Sequence, residues 1–145
     1  MTRFWQNWMI GFCLAVGLFG VVLAGGAAAA TSGPVRLIFA LLNGPGQFQL
    51  DPPMRFSLAV LGAVTIGWGI TLLAAVQAAH RLGGKAAKAT WRWITASVVS
   101  WYVIDTTLSV VTGFGLNAVP NTLYLAAFLI AVVRSGTLKR ADAIH

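Results

Sequence analysis

Asp105 is the residue of this chain most suited to chemistry, because it is the only carboxylate inside a long apolar segment. It lies within residues 94–113, where a charge is costly and a polar group needs a hydrogen-bond partner. In a segment that crosses a membrane, an ionisable residue is a functional hypothesis by default. We therefore expect Asp105 to turn toward neighbouring helices and away from lipid.

The residues around Asp105 form the most polar helix face in the apolar segments. Side chains three or four positions apart are neighbours on a helix. This spacing places Tyr102 and Ser109 beside Asp105, with Ser97 at the flank of the same face. Counting inward from the segment ends at about 1.5 Å per residue places Thr65 at a similar depth. Thr65 is therefore expected to donate a hydrogen bond to Asp105. On the last segment, the same count places a residue near Ala126 at the depth of Asp105.

Two roles are open for this acid. Without a cationic partner, desolvation favours the neutral acid, which can pin two helices together with about 0.6 kcal/mol. The functional alternative is a proton relay, or an acid that contacts a cationic ligand. We favour the pin, since no intramembrane His, Lys or Glu accompanies Asp105.

The sequence offers no other set of catalytic or metal-binding residues. The remaining acids, Asp51 and Asp142, are expected at another depth and on the opposite side, so no carboxylate pair forms. Two histidines and one cysteine give no zinc set and no internal disulfide. Asp51 precedes Pro52 and is expected to cap a helix. We expect a non-catalytic protein without a cofactor.

Composition assigns the chain to a membrane. It is 58% hydrophobic and 9% charged, whereas soluble domains carry about 25% charged residues, and the mean hydropathy is +0.80. The length of 145 residues suits one domain, spanning residues 1–145. The net charge of +7 comes from basic residues between the apolar segments. Such placement records membrane orientation, so we expect no nucleic acid partner.

Four apolar segments approach or reach the length of membrane helices, which is about 17–25 residues. They occupy residues 4–27, 56–79, 94–113 and 117–133. The sequence thus predicts an all-α, polytopic four-helix bundle. Residues 35–42 are too short to span and too apolar for a free loop. They predict a short interfacial helix in the first external loop.

The first segment has an alternative interpretation as a cleavable signal peptide. Arg3, an apolar run and the small residues 24–30 fit that pattern. The run is longer than a signal core, however, and Trp5 and Trp8 stand at its start, where interfacial aromatics belong. We therefore favour a retained span.

Basic residues predict the orientation and a lipid contact. Eight of them fall on one side of the predicted membrane, namely Arg3, Arg81, Lys85, Lys88, Arg92, Arg134, Lys139 and Arg140. The positive-inside rule places that side, and both termini, in the cytoplasm of a bacterium, with the chain in its inner membrane. The four residues between the second and third segments, Arg81 to Arg92, suit anionic lipid headgroups.

Small residues predict close helix packing. Cys13, Gly17, Gly20 and Ala24 recur every three or four positions on the first segment, and Gly62 lies on the second. Small side chains let membrane helices approach each other closely. We expect these residues to lie in helix contacts and not in a ligand site.

The stretch WYVIDTTLS at residues 101–109, continued by Gly113, Asn117 and Asn121, resembles a pattern in small four-span bacterial membrane proteins of uncharacterised function. The resemblance implies a four-helix membrane fold. It assigns no activity and no site residue. Asn117 is independently expected to cap the last helix.

Three functions remain open. The first is an accessory or structural subunit that packs in a larger membrane assembly or with itself, surrounded by membrane lipids. The second is a small proton-linked transporter or channel that uses Asp105. The third is a lipid- or pigment-binding protein that uses His80 and the tryptophans. An interfacial aromatic belt is the expected role of those tryptophans, Trp5, Trp8, Trp91 and Trp93.

Overall fold

The computed structural model describes residues 1–44 and 49–138 of the chain. Lys139, Arg140 and Asp142 lie outside the described residues. Within the described part, the structure is helical, and its α-helices are α1 (Arg3–Ala24), α2 (Gly33–Asn43), α3 (Pro52–Arg81), α4 (Gly84–Val111) and α5 (Ala118–Arg134). Short 3-10 turns follow α1 and precede α5.

The described residues contain four helices long and apolar enough to cross a membrane, which confirms the predicted number and the all-α class. The third of these four helices, α4, begins at Gly84, ten residues before its predicted start at residue 94. Residues 84–93 are rich in Ala and Lys, which favour helix, so the helix extends beyond its apolar part. α2 is too short to span a membrane.

The start of α3 follows the predicted capping pattern. The Asp51 carboxylate accepts a hydrogen bond of 2.9 Å from the backbone N–H of Met54, and Pro52 occupies the first helical position. This arrangement confirms Asp51 as a helix cap. One turn further on, the Arg55 guanidinium donates to the carbonyl of Gly26, at 3.1 Å. The beginning of α3 is thereby tied to the turn after α1.

α1 and α3 run antiparallel and meet through small residues. A Cβ atom built on Gly20 would lie 2.7 Å from the backbone nitrogen of Ile66. A Cβ atom on Gly62 would overlap the backbone of Ala24. Because real Cβ atoms do not approach this closely, only glycine fits at these positions without a shift of the helices.

The same contact continues toward the other end of α3. There, a Cβ atom on Gly69 would lie 2.8 Å from the backbone nitrogen of Gly17 and 3.2 Å from the carbonyl oxygen of Cys13. Cys13 is buried. The structure thus brings all five small residues expected in helix contacts to the α1–α3 contact. At Gly17 the backbone itself lies in this contact. A Cβ atom built on Gly17 would point elsewhere, since it would meet no described atom within 4 Å outside its own helix backbone.

Two apolar clusters complete the packing. The main core joins α1, α3, α4 and α5 around Met9, Phe12, Val76, Trp91, Val98 and Phe128. A small core joins α2 to the end of α1 and the start of α3 through Leu23, Val35, Leu50 and Leu58. The small core holds α2 against the end of α1 and the start of α3.

One expected member of the aromatic belt belongs to the main core. Trp91 is only 2% exposed, because it shares a face of α4 with the buried Ile94 and Val98. Its expected role as an interfacial anchor is therefore wrong. Trp93, two positions further, is 78% exposed and faces away from the core.

Candidate functional site

Asp105 is held by two asparagines from the segment that follows α4. Its Oδ2 atom accepts from Asn121 Nδ2 at 2.5 Å and from Asn117 Nδ2 at 3.2 Å. Asn121 is buried, with 6% exposure, whereas Asp105 is half-buried. The acid therefore faces the neighbouring helix, as the cost of placing it in lipid requires.

The same asparagines bind hydroxyl groups of α4. Asn117 Nδ2 also donates to Ser109 Oγ at 2.9 Å, and Asn121 Nδ2 to Thr106 Oγ1 at 3.1 Å. We call Asp105, Thr106, Ser109, Asn117 and Asn121 the Asp105 cluster. Instead of capping α5, as its position predicts, Asn117 uses its side chain in this cluster. The cluster joins α4 to the beginning of α5.

The register of this cluster follows from the turn between the helices. α4 ends at Val111, and Gly113 adopts φ +87°, a conformation that favours glycine. Asp105 and Asn121 each lie eight positions from Gly113. The 3-10 turn Gly115–Asn117 leads directly into α5, so the two form one continuous helical segment. Asp105 therefore meets Asn121 and not a residue near Ala126. Counting from Gly113 in both directions identifies the partner that the depth count missed.

The other residues expected near Asp105 have different surroundings. The Tyr102 hydroxyl lies 3.1 Å from Thr122 Oγ1, which adds a polar contact between α4 and α5. Ser97 is exposed, two turns before Asp105. The structure does not bring Thr65 to Asp105. Its hydroxyl donates to the carbonyl of Leu61 in its own helix, at 2.8 Å.

A cavity of about 260 Å³ opens beside the Asp105 cluster. Its wall combines polar groups of the cluster with apolar side chains, among them Phe39, Leu42, Asp105, Ser109, Phe114 and Asn117. Phe39 and Leu42 come from α2, and Phe114 from the turn before α5. Sequence reasoning missed both phenylalanines, because α2 and this turn meet only in the folded chain.

The position of α2 beside this cavity is fixed at two points. Val35 is fully buried in the small core. The ring of Phe39 contacts the ring of Phe114 edge to face, with centroids 5.8 Å apart and an interplanar angle of 70°. The nearby Arg36 guanidinium is directed back along α2, where its Nε donates to Ser32 Oγ at 3.4 Å.

His80 lies at the opposite end of the helices. Its ring contacts Trp91 edge to face at 5.4 Å, and its Nε2 atom lies 2.7 Å from the sulfur of Met1. The Nε2 atom therefore faces Met1, and the ring packs against Trp91. Among residues 1–44 and 49–138, no group of three His, Cys, Asp or Glu side chains could hold a metal ion.

The basic residues expected at lipid headgroups lie at helix ends and not in a loop. α3 ends at Arg81, and α4 begins two residues later, at Gly84. Lys85, Lys88 and Arg92 follow on one face of α4, at spacings of three and four. Lys88 is half-buried, and the others are exposed.

Comparison with protein families, curated proteins and solved structures finds no match for this chain. The resemblance to small four-span bacterial membrane proteins therefore stays a prediction, and the function has to be argued from the geometry.

Proposed function

We propose that this chain is a non-catalytic integral membrane protein that acts as an accessory or structural subunit. The observation that carries the proposal is a row of small residues along the exposed face of α3. Its members are spaced by three or four positions, at Ala63, Gly67, Thr71, Ala74 and Ala78, and all are exposed. We call this row the α3 ridge.

The ridge lies opposite the face of α3 that contacts α1. At about 100° per residue, Gly67 and Ala74 point away from the buried residues Leu58, Leu72 and Val76. Apart from Gly67 itself, its chain neighbours and the backbone of its own helix, no described atom lies within 4 Å of a Cβ atom built on Gly67. α3 therefore carries small residues on two sides, of which the chain itself covers one.

A second membrane helix is the natural occupant of such a ridge. Lipid tails gain little from contact with small side chains, whereas another helix gains close backbone packing. The Thr71 hydroxyl donates to the carbonyl of Gly67 at 2.9 Å, so the ridge presents no unsatisfied polar group at this point. The contact would then rest on van der Waals packing with a second copy or another subunit.

The setting that we propose is the inner membrane of a bacterium, with the long helices forming a four-helix bundle. Arg3, Arg81, Lys85 and Arg134 lie at one end of the helices, which the positive-inside rule assigns to the cytoplasm together with both termini. The exposed cations there suit anionic headgroups. At the other end, α2 would lie in the interface.

Replacement of Gly67 by leucine tests the proposal. A bulky side chain on the ridge holds a partner helix away, so we expect Gly67→Leu to abolish association while the monomer stays folded. Association can be measured by crosslinking in membranes and by light scattering in mild detergent. Isolation of other membrane proteins with the wild type, and not with the variant, would distinguish a larger assembly from a homo-oligomer.

Gly11→Leu is the matched control. Gly11 is also exposed on a long helix, and a Cβ atom there meets no described atom within 4 Å. Its neighbours on that face include the exposed large side chains of Trp8, Leu14 and Leu18 beside the small Ala15, so Gly11 does not belong to a continuous row of small residues like the α3 ridge. The proposal fails if wild-type protein runs alone under all these conditions, or if both substitutions affect association equally.

A small proton-linked transporter is a second candidate, favoured by the cavity beside Asp105. Asp105→Asn keeps a side chain of the same shape but removes titration. Proton flux into liposomes that depends on Asp105 would support this function. No specific observation favours the pigment-binding alternative, since the described contacts of His80 are with Met1 and Trp91.

A further inference from the structure

We propose that the cavity beside Asp105 binds a small organic cation of the ammonium class. The inference rests on the carboxyl group of Asp105, the aromatic wall contributed by α2 and the turn before α5, and the size of the space. It is independent of the α3 ridge, which lies on another helix.

The first argument concerns the carboxyl group of Asp105. The hydrogen bonds to Asp105 Oδ2 come from the neutral amides of Asn117 and Asn121, which orient the carboxyl group and bring no positive charge of their own. The cavity therefore has a carboxyl group in its wall, and an ammonium group that enters the cavity can donate hydrogen bonds to it.

The second argument concerns the aromatic part of the wall. Phe39 and Phe114 both line the cavity and form a corner at 70°. Aromatic rings attract cations through the negative charge of their faces, and ring corners bind ammonium groups in particular. Leu42 and Leu108 add apolar surface, which suits the carbon atoms of an organic cation.

The third argument concerns size and selectivity. A cavity of about 260 Å³ is smaller than the range of about 300–1,000 Å³ typical of drug-sized ligands, so the ligand is small. A metal cation such as Na⁺ or Ca²⁺ prefers a shell of oxygen atoms. In this cavity, four of the eight lining residues are aromatic or leucine and the other four are polar, and an alkylammonium ion, which has both an apolar and a charged part, matches this mixed wall better.

Binding of trimethylammonium chloride to the full-length protein in lipid nanodiscs tests the proposal. Saturation-transfer NMR on the methyl protons and calorimetry would give the affinity, with sodium chloride at equal ionic strength as competitor. We expect saturable binding that sodium does not displace. Asp105→Asn should weaken binding by about tenfold or more, and Phe114→Leu by about threefold.

Asp51→Asn is the matched control, since it also converts a carboxylate to an amide but lies at the cap of α3, where Asn caps equally well. It should leave the affinity unchanged. If Asp105→Asn does not fold, Phe114→Leu carries the test, because the Asp105 hydrogen bonds do not involve its ring. The proposal is overturned by absence of saturable binding, by displacement with sodium, or by equal affinity in wild type and the folded variant.

Discussion

The α1–α3 contact and the α4–α5 contact join membrane helices by two different means. Between α1 and α3, backbones meet because glycines such as Gly20 and Gly62 leave no side chain between them. Between α4 and α5, polar side chains meet, and the Asn121 amide donates hydrogen bonds to Asp105 and Thr106. Both solutions replace the hydrophobic drive that lipid cannot supply.

The two contacts should therefore respond to different kinds of substitution. A backbone contact has no room for added volume, so even one methyl group separates the helices. A polar contact tolerates changes of volume better, but it is sensitive to the loss of one partner, which leaves the other unsatisfied. This difference predicts which substitutions are damaging in each half of the protein.

The largest expected effect is on the α1–α3 side. Gly62→Ala places a Cβ atom against the backbone of Ala24, and backbone cannot move aside as a flexible side chain can. Overpacking of this kind costs about 2 kcal/mol. We expect that loss in the free energy of unfolding, measured by titration with sodium dodecyl sulfate in mixed micelles.

Gly11→Ala is the control for this experiment, since it adds the same methyl group to a long helix at an exposed position outside the α1–α3 contact and the α3 ridge. Alanine also has the higher helix propensity, so stability should stay equal or rise. Equal destabilisation by the two substitutions would mean that the close α1–α3 contact is not what limits the volume at Gly62.

The second effect concerns loss of a partner on the α4–α5 side. Asn121→Leu removes the amide that donates to Asp105 and Thr106 and leaves the carboxylate with fewer donors. We expect a loss of about 1.5 kcal/mol in the free energy of unfolding, within the range for an unsatisfied buried polar group. The same detergent titration measures it.

A double substitution separates the hydrogen bond from simple packing. In Asp105→Leu/Asn121→Leu both polar groups are absent, so the double variant should be more stable than the sum of the single losses predicts, by about 1 kcal/mol. Additive losses would show that Asp105 and Asn121 are not energetically coupled and that the cluster does not join the helices.

The elements could be predicted from sequence more fully than the contacts. Apolar length alone identifies the four long helices, and Asp51–Pro52 marks the start of α3. The start of α4 could not be found from hydropathy, because residues 84–93 are helical without being apolar. The burial of Trp91 was missed for a related reason, since it depends on which face of that helical extension meets the core.

Asp105 was identified from sequence, but its partners were not. The free-energy cost of placing a carboxyl group in lipid implies that Asp105 has a hydrogen-bond partner, but it does not identify that partner. Depth counting failed because the 3-10 turn before α5 behaves as part of the helix, which shifts the register by about a turn. Phe39 could not be assigned to the site at all, since its position depends on the small core that fixes α2.

The smallest expected effect tests how far along α4 the polar contact with α5 extends. The Tyr102 hydroxyl lies 3.1 Å from Thr122 Oγ1 and is partly exposed, so Tyr102→Phe should lower the free energy of unfolding by about 0.6 kcal/mol, the average for an interhelical hydrogen bond in a membrane. Ser97→Ala is the control, because Ser97 is exposed two turns away and should have no measurable effect. If Ser97→Ala proves as costly as Tyr102→Phe, the polar contact between α4 and its neighbours extends further along the helix than the Asp105 cluster and Tyr102. In that case, polarity along the whole face of α4, and not the local pairing with α5, would stabilise this half of the protein.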